Sequence, residues 1–364
     1  MDNYFDFHIK DQIVEWSDDW DDYCKSVISE KEREWMPFLS FPVTKKCNFH
    51  CLYCGMGSEA TASCNDTISV DLIKTYVEIG LSKGLKKFRI TGGEPFLHPQ
   101  IREILQYMGS LGVYVLVNTN GSLIIKNKEW LKDIPNTIKF AVSFDTLNSE
   151  RLKTISGVNC HDAVVSGIKF LKENGNLLRV NMVINKHNCD EVYNIIDFCK
   201  DIGCDLKILD VVSVPVPFSA DRQDFYREVN SLEKEFAETC DEIYSHEYTR
   251  GFGTPCYRYR FGNVYVTVKN SKKGSHYDII GDNALCRDCK FYPCHEGLYD
   301  LFCLSDGRLC SCRWTEKQRF ENPVQQIEWL IEVFKKAKYV YTGDNQNMEV
   351  RSDLITRKEE IKNG

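Results

Sequence analysis

Six apolar stretches recur along the chain with amphipathic segments between them. FLSFPVT (38–44), LKKFRIT (85–91), VYVLVNT (113–119), IKFAVSF (138–144), LLRVNMVI (177–184) and LKILDVV (206–212) are short, and several are apolar throughout. That is the pattern of parallel strands covered on both faces. In SVDLIKTYVEIGLSKG, Val70, Ile73, Val77 and Leu81 fall on one helical face, Ser69 can cap, Asp71 suits the first turn and Gly84 can stop the helix. DEVYNIIDFCKDIG repeats the pattern with Val192, Ile195, Ile196 and Cys199 and closes at Gly203. Six strand–helix units predict an α/β fold, a partial (β/α)6 TIM barrel with its chemistry at the carboxyl ends of the strands.

Flanking segments differ in character. Residues 1–37, acidic and carrying Trp16, Trp20 and Trp35, predict an N-terminal helical extension. The barrel is expected over 38–250, ending in a helical stretch over 221–248. Beyond it GFGTPCYRYRFGNVYVTV alternates like a strand or hairpin, and six cysteines fall between Cys286 and Cys312. Residues 251–320 therefore read as a small C-terminal cysteine-rich auxiliary domain, and 321–364 as a C-terminal helix and charged tail.

Composition narrows the class. With 364 residues, 43% hydrophobic and 27% charged, the chain can bury a large core. No run of eighteen apolar residues exists and the start MDNYFDFHIKDQ is acidic, so a cytoplasmic protein without a membrane partner is expected. A net charge of −7 argues against general nucleic-acid binding, although Lys86, Lys87 and Arg89 could meet a phosphate. Seventeen cysteines, an odd number, suit a reducing compartment where clustered thiols are metal ligands and scattered ones, such as Cys160, Cys199 and Cys204, are small buried hydrophobes.

The sharpest chemical signal directly follows the first barrel strand: Cys47, Cys51 and Cys54 in KKCNFHCLYC. These spacings bring three thiolates to one metal centre and leave a fourth position without a cysteine. An iron-sulfur cluster with one open iron can accept another molecule there, whereas a zinc knuckle would need a fourth ligand such as His50. TGGEP (Thr91–Pro95) ends the second strand, where glycine allows close backbone approach. VNTNG and VSFDT end the third and fourth, placing Thr119, Ser143 and Asp145 where small polar groups can bind a ligand or simply form turns and caps.

The CxxxCxxC loop in this setting resembles the radical S-adenosylmethionine (SAM) superfamily. CNFHCLYC, RITGGEPFLHP, NTNG, SFDTLNSERLKTISG and RVNMVINK together resemble its GTP 3′,8-cyclase branch. The resemblance implies an enzyme with a [4Fe-4S] cluster on Cys47, Cys51 and Cys54, whose open iron binds the amino and carboxylate groups of SAM. Reductive cleavage would give a 5′-deoxyadenosyl radical that takes a hydrogen atom from a bound substrate. It further implies Tyr53 and Val212 beside the adenine, Gly92, Gly93 and Glu94 at the SAM ammonium, and Thr119, Ser143 and Asp145 at the ribose and carboxylate. Arg89 and Arg179 would contact a substrate phosphate. Three cyclase arginines fall on Ser40, Asp300 and Phe302, so the cyclase reaction itself is not expected.

The C-terminal CRDCKFYPC and DGRLCSC resemble a twitch/SPASM-type auxiliary domain, which implies a second [4Fe-4S] cluster on Cys286, Cys289, Cys294 and Cys312. Cys310 is the rival for the fourth place and a zinc ribbon the alternative occupant. Expected partners are a small-molecule, nucleotide or peptide substrate and an external one-electron donor such as flavodoxin or ferredoxin. Two alternatives stand beside this reading: a peptide-modifying (RiPP maturase) radical SAM enzyme, and an Fe-S electron carrier without catalysis.

Overall fold

All six apolar stretches form strands in the computed structural model, which describes residues 13–15, 38–54, 67–211, 229–245, 256–269, 300–310 and 322–331. A short strand β1 (Ile13–Glu15) precedes the barrel strands β2 (Phe38–Pro42), β3 (Lys87–Thr91), β4 (Tyr114–Thr119), β5 (Ile138–Ser143), β6 (Leu177–Ile184) and β7 (Asp205–Asp210). β8 (Glu242–Ser245), β9 (Cys256–Phe261), β10 (Val264–Lys269), β11 (Asp300–Cys303) and β12 (Leu309–Cys310) complete the set. Strands β2 to β7 pair in parallel and in chain order.

Parallel neighbours need crossover connections, and helices supply them. These are α1 (Val70–Ser82), α2 (Ile101–Ser110), the short α3 (Lys128–Leu131), α4 (Ser149–Ser156), α5 (His161–Glu173) and α6 (Val192–Ile202). Outside the barrel lie α7 (Asn230–Thr239) and a helix α8 over 323–331. The predicted punctuation is present: Ser69 Oγ accepts from the Leu72 amide at 3.2 Å, and Gly203 closes α6 at φ 74°. No helix among the described residues is long and apolar enough to cross a membrane.

Alternation within the strands separates two faces. Leu39, Phe41, Phe88, Ile90, Val115, Val117, Phe140 and Val142 share the main core with Ile73 and Val77 of α1, Met108 of α2 and Ile195 of α6. Burying each such side chain contributes about 1.5–3 kcal/mol. Toward the other face a smaller cluster forms from Tyr114, Leu116 and Ala141 with Phe38 and Leu178. Lys87 and Arg89 lie over the Phe38 ring, their charged groups 4.6 and 4.3 Å from its centroid. Phe38, Lys87 and Tyr114 begin their strands, so this plug fills the amino end and leaves the carboxyl ends to the loops.

Both margins of the six-strand array are extended. On one side β10 pairs in parallel with β7, followed by antiparallel β9 and β8 and then β1. On the other, β11 pairs in parallel with β2 and antiparallel with β12. One twelve-stranded sheet results, and the two hairpins cover backbone that β2 and β7 would otherwise leave unpaired. The structure differs from expectation at two points. Within 1–37 the described residues are strand rather than helix, because the β-branched Ile13 and Val14 pair with Ile243 and Tyr244 of β8. The helical stretch expected over 221–248 ends at Thr239, and Glu242–Ser245 turns into the sheet against β9.

Candidate functional site

The cysteine loop leaves β2 at its carboxyl end and is held from three sides. Toward β3, the amides of Gly93 and Glu94 donate to the carbonyls of Thr44 (2.7 Å) and Lys46 (2.8 Å). The two backbones run so close that a Cβ on Gly92 would lie 2.3 Å from the Thr44 oxygen and one on Gly93 2.2 Å from the Lys46 oxygen; Gly92 also has φ 136°. Only glycine fits either position. Toward α4, the amides of His50 and Leu52 donate to the carbonyls of Ser156 (2.7 Å) and Ile155 (3.0 Å). Toward β4, Asn48 Nδ2 donates to Ser122 Oγ at 2.9 Å and accepts through Oδ1 from Asn120 Nδ2 at 2.9 Å. Buried Phe49 pins the centre of the loop in the core.

Cys47 and Cys51 are half-buried and Cys54 is exposed; none is in a disulfide. The Cys47 sulfur accepts from the Phe49 amide at 3.4 Å and from Asn120 Nδ2 at 4.0 Å. Burial pushes the Cys47 and Cys51 thiols up, and nearby charge adds to this: Glu94 and Cys54 beside Cys47, Asp145 and the two other thiols beside Cys51. Crowded thiolates are costly alone and are stabilised by a metal centre that neutralises them, so the donor set fits an iron-sulfur cluster. Among the described residues no three His, Cys, Asp or Glu side chains converge as ligands of a single ion would. Thiolates of a cubane bind separate irons and are spaced more widely. His50, the fourth ligand a zinc knuckle would need, packs against Gly157 of the α4 cap.

Two buried carboxylates brace this loop. Glu94 is fully buried, its Oε1 accepting from the Phe96 amide (3.0 Å) and Thr119 Oγ1 (2.8 Å) and its Oε2 from the Asn120 amide (2.7 Å). Asp145 accepts from Tyr53 Oη at 2.5 Å and from the Val183 amide at 2.8 Å. The Glu94 carboxylate thus accepts from three protein donors and joins the TGGEP turn to the NTNG turn. Thr119 and the Asp145 carboxylate are likewise engaged in internal hydrogen bonds. Tyr53 is tethered through its hydroxyl. Ser143, partly exposed at the end of β5, is in register with Asn181.

Burial outweighs these hydrogen bonds and raises the carboxyls, Glu94 to about 7 and Asp145 to about 6. Both hold a proton in the folded chain at pH values where the unfolded chain has released it. The resulting stabilisation is complete below about pH 4 and is lost as pH rises through about 6 and 7. Thermal melts of the metal-free protein should fall from pH 5 to pH 8, with a shallower slope for Glu94→Gln; equal slopes would remove Glu94 from this account.

Arg179 donates from Nε to Asn181 Oδ1 at 3.1 Å and is in register with Ala141 and Asp205. Lys207, which sequence reading missed, is the register partner of Asn181. It shares a face with Arg179 and Asn181 because parallel partners point the same way. Alternation along LKILD was the available signal. Asn48 and Asn120, also missed, could have been suspected only from their place inside the two turn motifs. On the opposite flank Ser40 sits in register with Arg89 and Phe302, and Phe302 with Cys310. Val212, Cys286, Cys289, Cys294 and Cys312 lie outside the described residues. Cys310 is buried on β12.

A model of the radical SAM superfamily matches residues 41–199, from within β2 to within α6. The chain belongs to the radical SAM superfamily, which implies a [4Fe-4S] cluster and SAM. Among its relatives, a probable GTP 3′,8-cyclase of Methanocaldococcus jannaschii is 30% identical over 213 residues, 58% of this chain and 69% of that protein. Another, from Sulfurisphaera tokodaii, is 28% identical over 208 residues, 56% of this chain and 65% of its own, so the match spans less than two thirds of that cyclase. The fold is similar to Streptococcus suis SuiB bound to S-adenosylmethionine, with TM-score 0.58 and 17% identity over 87% of this chain and 68% of that one. SuiB is also known bound to the precursor peptide SuiA.

Proposed function

We propose that this chain is a radical SAM enzyme that abstracts a hydrogen atom from an anionic substrate held against the inner face of the barrel. The carrying observation is the three-thiol loop clamped to the TGGEP and NTNG turns at the carboxyl ends of adjacent strands. When bound, the cluster and SAM supply the reducing electron and the 5′-deoxyadenosyl radical. The chain's residues supply position. Cys47, Cys51 and Cys54 hold the cluster, the backbone oxygens of Gly92 and Gly93 serve the cofactor ammonium, and Ser143 serves its carboxylate or ribose. Tyr53 lines the adenine side, with Asp145 fixing its hydroxyl. Glu94, Thr119 and Asn120 act from behind, holding the turns in register.

Arg89, Arg179 and Lys207 give the inner face its basic character, and a nucleotide is the first candidate substrate. The cyclase positions that lack arginine explain why GTP cyclisation itself is not assigned. Ser40 and Phe302 are buried register partners, so one flank of the barrel carries neutral packing where the resemblance puts cations. In the C-terminal segment, Cys286, Cys289, Cys294 and Cys312 are proposed to hold a second [4Fe-4S] cluster that assists, with Cys310 as alternative ligand.

The test is anaerobic reconstitution followed by dithionite reduction with SAM. Formation of 5′-deoxyadenosine and about eight irons per chain are expected, and about four would remove the second cluster. A chain with full iron that leaves SAM intact would reject the enzyme reading. Arg179→Ala should weaken nucleoside triphosphate binding by roughly tenfold, measured by calorimetry, as loss of one charge-assisted contact predicts. Equal binding of wild type and variant, or selective binding of a short peptide, would redirect the substrate assignment.

A further inference from the structure

One buried side chain from outside the cysteine loop reaches a ligand sulfur. Asn120, in the turn after β4, brings its Nδ2 to 4.0 Å from the Cys47 sulfur, which also accepts from the Phe49 amide at 3.4 Å. Among the described residues no other side chain from beyond the loop donates to Cys47 or Cys51. Which end of the carboxamide faces the sulfur is fixed by its neighbours. Its Oδ1 accepts from the Ser122 backbone amide at 3.0 Å and from Ser122 Oγ at 2.7 Å, and a backbone N–H can only donate. Nδ2 is therefore the atom left for Cys47 and for Asn48 Oδ1, 2.9 Å away. Asn48 Nδ2 returns to Ser122 Oγ at 2.9 Å and closes a three-residue ring, while the Asn120 backbone amide donates to Glu94 Oε2 at 2.7 Å. Held at both its backbone and its side chain, Asn120 cannot turn its oxygen toward the sulfur.

We propose that Asn120 is a positioning residue that sets the reduction potential of the cluster, its Nδ2–H dipole acting through the Cys47 sulfur. The proposal rests on the cluster assignment above. Reduction adds negative charge to a centre already ringed by thiolates, in a half-buried site that Glu94 also borders. Both surroundings resist the added charge. N–H dipoles aimed at a ligand sulfur stabilise it and raise the potential, more strongly in a poorly solvated site than in water. The Phe49 amide makes the same kind of contact from within the loop, but only the Asn120 contact is made by a side chain and can be removed without changing the loop's own sequence.

The experiment is a redox titration of the reconstituted full chain followed by electron paramagnetic resonance, reading the signal that Cys47→Ala lacks. Asn120→Ala and Asn120→Ser remove the donor and should disfavour reduction by roughly tenfold, a fall in midpoint potential of about 59 mV for one electron. Their iron content should match wild type. Ser122→Ala is the control, because it breaks both hydrogen bonds of the Ser122 hydroxyl in the ring yet keeps the Asn120 donor and the backbone amide that orients it. Its midpoint should stay at the wild-type value. Unchanged midpoints in both Asn120 variants would overturn the proposal. So would an equal fall in Ser122→Ala, which would assign the effect to a displaced loop, or loss of iron from both Asn120 variants, which would leave Asn120 as an anchor alone. Each of these outcomes leaves the enzyme reading intact. A wild-type chain with no cluster signal that depends on Cys47, and no SAM cleavage, would instead reject the reading on which the proposal rests.

Discussion

Replacing any one of Cys47, Cys51 and Cys54 with alanine is expected to reduce 5′-deoxyadenosine formation to background and to remove the N-terminal cluster's share of the bound iron. The three thiols differ in burial, from exposed Cys54 to half-buried Cys47 and Cys51, yet the effect should be equal, because a cubane with two protein ligands loses both its anchor and its orientation toward the cofactor. The fold should survive. The loop is held by backbone hydrogen bonds from Gly93, Glu94, His50 and Leu52 and by the Asn48–Asn120 pair, none of which uses a cysteine side chain. Circular dichroism unchanged from the wild-type apoprotein, together with the loss of iron and activity, is the signature. A cysteine variant that still cleaved SAM at the wild-type rate would refute the ligand assignment.

Gly93→Ala is expected to be the most damaging single methyl group. Its Cβ would fall 2.2 Å from the Lys46 carbonyl oxygen and 2.7 Å from that of Lys45, both backbone atoms that cannot swing aside. The turn or the cysteine loop must shift, breaking the Gly93–Thr44 and Glu94–Lys46 hydrogen bonds and disturbing the buried Glu94 linkage behind them. About 3–5 kcal/mol of destabilisation follows, with a fall in melting temperature of roughly 5 °C. Iron occupancy should drop as well. Gly80→Ala is the control, since the nearest atoms to its Cβ are side-chain carbons at 3.4 and 3.5 Å. Comparable losses in both variants would show that the close backbone approach is not the cause.

Much of this architecture was legible in the sequence for a simple reason. Strands covered on both faces leave apolar runs that stand out, and β2 to β7 each coincide with one of the stretches so marked, β7 beginning one residue earlier. Metal-ligand spacing is equally local: Cys47, Cys51 and Cys54 announce themselves within eight residues. What the sequence could not show is how turns from different strands lock together. Glu94 belongs to Thr119 and Asn120, 25 and 26 positions away, and Tyr53 to Asp145, 92 positions away. The resemblance implied a cofactor beside these side chains, and the structure adds what it could not show: Glu94 accepts from protein donors of another turn and the Tyr53 hydroxyl donates to Asp145. β1 and β8 were missed because three or four residues carry too little periodicity to compete with a helical neighbourhood. Lys207 was passed over because LKILDVV was read as a buried apolar run rather than as the alternating strand it is.

The pairing of Leu39 with Leu301 has a consequence for biogenesis. The strand that leads into the metal loop gains its outer neighbour only from a segment far downstream in the chain, after all the other barrel strands have been made. Until then β2 is the margin of a nascent sheet, and long-range parallel pairing of this kind is slow to form. A ribosome stalled before β11 would hold a cysteine loop whose supporting strand is still half-bare.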